Sequence, residues 1–237
     1  MKGVVRVGVG VAERPWIEMA ARRCERQNAG ELNTGAWRTE KRAATHVPHR
    51  CRGASGKASA PLVVIVAGVS GSGKTTVCRQ TVALAAARGH SVGGIVTVPR
   101  SGTLGELGLD VEDVRRGDRR RLAETTPTAD GPVIGQWHFH RSGLEWGDGI
   151  LASALPCDLL VVDELGPLEL VRDDGWAQAM PAVRDGRYGV ALAVVRPALV
   201  QTLLSRLAGM RVITVAVAPD NRDQLPGEML IHLDSGS

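Results

Sequence analysis

The run Gly68-Val69-Ser70-Gly71-Ser72-Gly73-Lys74-Thr75 satisfies the pattern GxxxxGK[ST] at every specified position. Glycines at this spacing let a loop turn successive backbone N–H groups inward, and the start of a following helix adds partial positive charge where phosphate oxygens would sit. Lys74 supplies a cation for the β- and γ-phosphates, Thr75 a hydroxyl for Mg²⁺, and Thr76 completes the expected phosphate-binding set. A second constellation, Asp158-Leu159-Leu160-Val161-Val162-Asp163-Glu164, is an apolar run ending in two adjacent carboxylates. In an open α/β sheet the carboxyl ends of the strands face the ligand crevice. Asp163 is therefore expected to hold the Mg²⁺ shell through water, and Glu164 to orient or deprotonate an attacking water. Arg196, which closes the apolar run Val190–Val195, is expected at the same crevice edge as a sensor of the γ-phosphate.

These residues need a scaffold of buried strands, and the sequence supplies one. Near-continuous apolar runs lie at Leu62–Ala67, Leu159–Val162, Val190–Val195 and Val212–Val217, as expected of strands covered on both faces. Segments of helical character separate them: Lys74–Arg88, Gly143–Ala154, Gly175–Val183 and Pro197–Leu207. Alternation of this kind predicts right-handed crossovers and one α/β domain with a mostly parallel sheet and helices on both faces. Leu107 to Ala123 reads instead as a small β-hairpin insertion around Arg115, Arg116, Gly117 and Asp118, and Gly135–His140 as a further strand. Arg115, Arg116, Arg119, Arg120 and Arg121 cluster there, and one of them could reach the phosphates.

Composition narrows the classes further. The 237 residues are 43% hydrophobic and 23% charged, and no uncharged apolar run approaches the ~18 residues of a membrane span. The net charge of +4 conceals an asymmetry: residues 1–60 carry 12 Lys and Arg against 5 Glu, a net of +7, and the remainder carries −3. With one Ile and one Leu, residues 1–60 are expected to form a basic, disordered extension, leaving residues 61–237 as the folded domain. The domain's mild acidity, and aromatics at only 3%, argue against nucleic acid as a partner. Cys24, Cys51, Cys78 and Cys157 are too scattered for a disulfide framework, so a cytoplasmic setting is expected. Asn221-Arg222-Asp223 lacks the Lys and the spacing of a guanine-reading NKxD motif.

Gly68–Thr76, Gly94-Ile95-Val96-Thr97, Leu144-Glu145-Trp146, Asp163-Glu164-Leu165-Gly166-Pro167-Leu168-Glu169-Leu170 and Asn221-Arg222-Asp223 together resemble the small P-loop nucleoside-triphosphatases of the cancer-related nucleoside-triphosphatase type. The Asp-Glu-x-Gly-Pro-x-Glu-Leu run is the distinctive part, and the resemblance spans roughly residues 61–235. It implies a RecA-like sheet, Mg²⁺ as cofactor, and slow hydrolysis of ATP, GTP and other triphosphates, with Lys74, Thr75, Asp163 and Glu164 in the roles given above. Two rival functions share the same loop: a small-molecule or nucleotide kinase with the Arg-rich hairpin as a lid, and a nucleotide-dependent regulatory module with an unidentified protein partner.

Overall fold

Six consecutive apolar residues, Leu62–Ala67, form β1, and every one is buried. The computed structural model describes residues 60–235 apart from 102–106, 128–129 and 173. The expectation for residues 1–60 falls, Ala60 excepted, outside the described residues. After β1 come α1 (Lys74–Ala87), β2 (Val92–Ser101), β3 (Leu107–Asp113), β4 (Arg119–Glu124), β5 (Val133–Ile134), β6 (Trp137–Phe139), α2 (Arg141–Ala152) and β7 (Cys157–Leu165). The chain continues through α3 (Ala179–Asp185), β8 (Tyr188–Val195), α4 (Val200–Arg206), β9 (Arg211–Ala216) and α5 (Leu225–Asp234).

Among the described residues the strands form one sheet in the order β5-β6-β4-β3-β2-β7-β8-β1-β9. The five strands β2, β7, β8, β1 and β9 are mutually parallel, and all other pairings are antiparallel. The parallel core is the α/β sheet expected from the apolar runs. The insertion is larger than a single hairpin, because β2 runs past its last pairing with β7 at Ile95 and pairs with β3 as far as Ser101.

Because β1 alternates its side chains across the sheet, its two sets of residues seed separate cores. Val63, Ile65 and Ala67 pack with Leu144 and Leu151 of α2, Val183 of α3 and Leu203 of α4. Leu62, Val64 and Val66 pack with Val77 and Ala85 of α1 and with Met229, Leu230 and Leu233 of α5. Each fully buried Val, Leu or Ile contributes ~1.5–3 kcal/mol. The helices thus cover both faces, and none among the described residues is long and apolar enough to cross a membrane.

One correction concerns the arginine-bearing turn between β3 and β4. Strand β3 runs antiparallel to β2, so its end lies at the amino edge of the parallel strands, opposite the edge that carries the Gly68–Thr75 loop. There Arg115 Nε donates to Val92 O at 3.0 Å and Nη2 to Ala154 O at 2.7 Å. Arg119 is tied to Glu112 at 2.6 Å, and Arg120 lies 5.6 Å over the Trp146 ring. Arg115 satisfies backbone carbonyls at the far edge of the sheet, which removes it as a lid over the phosphates.

Candidate active site

Strand β1 ends at Ala67 and α1 begins at Lys74, so the six intervening residues turn the chain by nearly a full reversal. Gly71 and Gly73 make that turn with φ of +76° and +101°, in the left-handed region that residues bearing a Cβ avoid. The loop closes on itself through Ser72 N donating to Val69 O at 3.2 Å, and α1 starts with Val77 N donating to Gly73 O at 2.9 Å. Lys74, only 6% exposed, donates from Nζ to Val69 O at 2.9 Å across the loop mouth.

The acidic strand end meets this loop directly. Thr75 Oγ1 donates to Asp163 Oδ2 at 2.8 Å, joining residues 88 positions apart. The same oxygen accepts from Thr97 N at 3.1 Å, and Oδ1 accepts from Glu164 N at 3.0 Å. Asp163 is wholly buried. Burial, reinforced by the neighbouring Glu164 charge, pushes its carboxyl up to about 7, against the opposing pull of the Thr75 and Thr97 hydrogen bonds and of Lys74. Burial likewise lowers Lys74, an effect countered first by Glu164 and then by Asp163. Glu164 and Asp163 therefore both lie within electrostatic reach of the Lys74 ammonium. So does Arg196, which follows β8 and is exposed, and whose like charge lowers Lys74 further.

Strand order explains this convergence. Strand β8 lies between β1 and β7, pairing with both in parallel, so its carboxyl end at Val195 sits between the loop and the acidic pair. In β7 one extra residue is accommodated against β8: Val162 pairs with Ala193 but Leu165 with Val195. Such a bulge re-aims side chains at strand ends. Glu164 occupies it with φ of +63°, the one non-glycine residue with positive φ among the described residues.

The sequence-predicted residues Lys74, Thr75, Asp163, Glu164 and Arg196 thus come together at one edge of the sheet. Asn221 fixes the last loop, its side chain accepting from Ala218 N and donating to Ala216 O, each at 2.9 Å. Beside it, Arg222 Cδ lies 3.3 Å from where a Cβ on Gly73 would stand, so this arginine packs against the phosphate loop. Thr97 is a site residue that apolar patterning did not single out. It is 5% exposed, with Oγ1 buried and unpartnered, and its own N–H reaches Asp163. Ser72 Oγ, inside the loop, is likewise buried without a partner.

A parallel sheet in this order, carrying a GxxxxGK[ST] loop after one strand and an Asp-Glu pair after another, defines a P-loop nucleoside-triphosphatase. The description NTPase attaches to a family that matches residues 63–230, and the chain belongs to that family. It is a nucleoside-triphosphate phosphohydrolase. The chain is 33% identical over 168 residues to nucleoside-triphosphatase THEP1 of Methanosarcina acetivorans, covering 70% of this chain and 93% of the relative. It is 32% identical over 170 residues to the protein of the same name from Methanosarcina barkeri, covering 71% and 95%. To that of Methanopyrus kandleri it is 30% identical over 176 residues, covering 73% and 96%.

Proposed function

We propose that the protein is a Mg²⁺-dependent nucleoside-triphosphatase that converts ATP, GTP and related triphosphates to the diphosphate and phosphate by attack of a Glu164-positioned water on the γ-phosphorus. The observation that carries this reading is the 2.8 Å bond from Thr75 to Asp163, which fastens the phosphate loop to the acidic strand end. Glu164 is the very next residue, turned out of strand register.

The donor set suits Mg²⁺. A hydroxyl, a buried carboxylate and the unpartnered Thr97 Oγ1 are hard oxygen donors. Mg²⁺ characteristically takes one or two carboxylates plus water and substrate phosphates. Thr75 and Asp163 would hold it, and when bound it would neutralise charge on the β- and γ-phosphate oxygens. The protein's own groups do the rest. The loop's N–H groups and Lys74 bind and orient the phosphate tail, Glu164 takes or directs the proton of the attacking water, and Arg196 offsets charge developing on the γ-phosphoryl oxygens. Free, buried thiols at Cys78 and Cys157 suit the cytoplasmic setting.

The test is phosphate release from a panel of nucleotides, with and without Mg²⁺, on the wild type and Glu164→Gln. Turnover without an added acceptor, dependent on Mg²⁺ and lowered ~10²–10⁴-fold by the substitution with nucleotide affinity retained, is expected. Turnover that requires an acceptor, or full turnover by Glu164→Gln, would refute the reading.

A further inference from the structure

Glu169 is buried at 7% exposure in the π-type turn Leu168–Arg172. Its two carboxylate oxygens divide between two backbone donors. Oε2 accepts from Gly166 N at 2.7 Å, two residues past Glu164, and Oε1 accepts from Trp176 N at 3.2 Å. The surrounding chain is shaped to admit the carboxylate. A Cβ on Gly175 would collide with Oε1, and Leu170 N donates to Gly166 O at 3.0 Å, closing the segment from its other side. The Trp176 ring in turn fills the space beside Gly147 of α2, where a Cβ would overlap it.

Burying a carboxylate is unfavourable unless its hydrogen bonds recover the lost solvation, and a leucine would cover the same apolar surface without that cost. Burial accordingly holds the Glu169 carboxyl above its ordinary range, opposed by the Gly166 and Trp176 hydrogen bonds. What the carboxylate supplies and leucine cannot is a grip on the backbone that leaves β7. That backbone carries Glu164 at φ +63°, a conformation that is strained for an L-residue and persists only where neighbours enforce it. Asp163 Oδ1 holds the Glu164 amide from the strand side at 3.0 Å, and Glu169 holds the Gly166 amide from the exit side.

We propose that Glu169 is a positioning residue for hydrolysis: by holding the Gly166 amide against the buried turn, it keeps the Glu164 carboxylate aimed at the mouth of the phosphate loop. This rests on the reading of Glu164 as the residue that directs the attacking water. Glu169 is buried, and its hydrogen bonds run to the Gly166 and Trp176 amides, so it acts through the strand exit.

The experiment compares Glu169→Ala, Glu169→Gln, Glu164→Gln and the Glu164→Gln/Glu169→Ala pair in the full chain. It measures kcat and KM by phosphate release and Kd for the Mg²⁺ complex of a nucleoside diphosphate by calorimetry. Displacement of a catalytic group by ~1 Å costs about 10²-fold in rate, so Glu169→Ala is expected to lower kcat to that extent while Kd stays within about threefold. Glu169→Gln must turn its amide nitrogen toward one of the two N–H donors. It is expected to fall between Ala and wild type, and it carries the test by itself if the alanine variant does not fold. In the Glu164→Gln background, Glu169→Ala is expected to cost nothing further. Wild-type kcat in Glu169→Gln, an equal loss of kcat with and without Glu164, or a parallel loss of diphosphate affinity would overturn the proposal. Full turnover by Glu164→Gln alone would instead overturn the assignment of Glu164, so the two failures are distinguishable.

Discussion

Replacing Glu164 by glycine is expected to raise the stability of the nucleotide-free protein relative to Glu164→Gln, although glycine in a strand ordinarily does the reverse. Both substitutions remove the same charge beside buried Asp163, so the comparison isolates the backbone. At φ +63° an L-residue carries a penalty of ~1–2 kcal/mol that glycine does not. Against this, glycine's extra freedom in the unfolded chain costs about 0.5–1 kcal/mol. The balance favours glycine by roughly 0.5–1 kcal/mol, whereas an unstrained strand position would favour glutamine by a similar amount. For a domain of this size each kcal/mol moves the midpoint by roughly 2–4 °C. Thermal unfolding followed by circular dichroism should therefore place the glycine variant about 1–4 °C above the glutamine variant, with turnover strongly lowered in both. A glycine variant melting 2 °C or more below glutamine would refute the claim that the backbone at Glu164 is strained.

Two further outcomes follow from neighbouring residues. The Asp163 carboxyl, raised to about 7 by burial, binds its proton more tightly in the folded than in the unfolded chain. Its contribution to the stability of the nucleotide-free protein is therefore fully present below ~pH 4 and lost as pH rises through about 7. Urea unfolding at pH 5 and pH 8 should show wild type losing roughly 2–3 kcal/mol more than Asp163→Asn over that interval; parallel profiles would contradict the burial argument. At Gly94, φ is +109° and a Cβ would overlap the Val161 carbonyl on β7. Gly94→Ala should cost about 3 kcal/mol or more in urea unfolding, and wild-type stability would contradict so close an approach of β2 to β7.

Much of the core was legible because strands buried on both faces leave long apolar runs, and β1 and β8 appear in the sequence almost at their observed limits. The phosphate loop and acidic pair were legible because their chemistry is local: glycines at fixed spacing, and carboxylates at the end of a strand. Features set by distant partners were not. The helix expected over Gly175–Val183 begins only at Ala179, because Asp148 on α2 accepts from Ala177 N at 3.2 Å and Gln178 N at 2.9 Å and holds the preceding turns. The hairpin's existence was readable from Gly117 and Asp118, but which edge of the sheet its arginines face depends on how far β2 extends. Glu169 looked like another polar residue in a motif, since its role depends on amides at Gly166 and Trp176. Thr97 enters the sequence reading only inside the Gly94–Thr97 segment of the family resemblance, with no role attached; its place beside Asp163 is set by the pairing of β2 beside β7.

The placement of β8 between β1 and β7 also orders the events of folding. The phosphate loop, Thr75, Asp163 and Glu164 all precede Asp185 in the chain, and only Arg196 of the proposed site follows it, yet β1 and β7 have no direct pairing and are held in register by a strand made later. A nascent polypeptide extending no further than α3 would carry the glycine loop and both carboxylates without the layer that spaces them. Nucleotide could then report completion of the sheet, stabilising the chain only once Tyr188–Val195 had inserted.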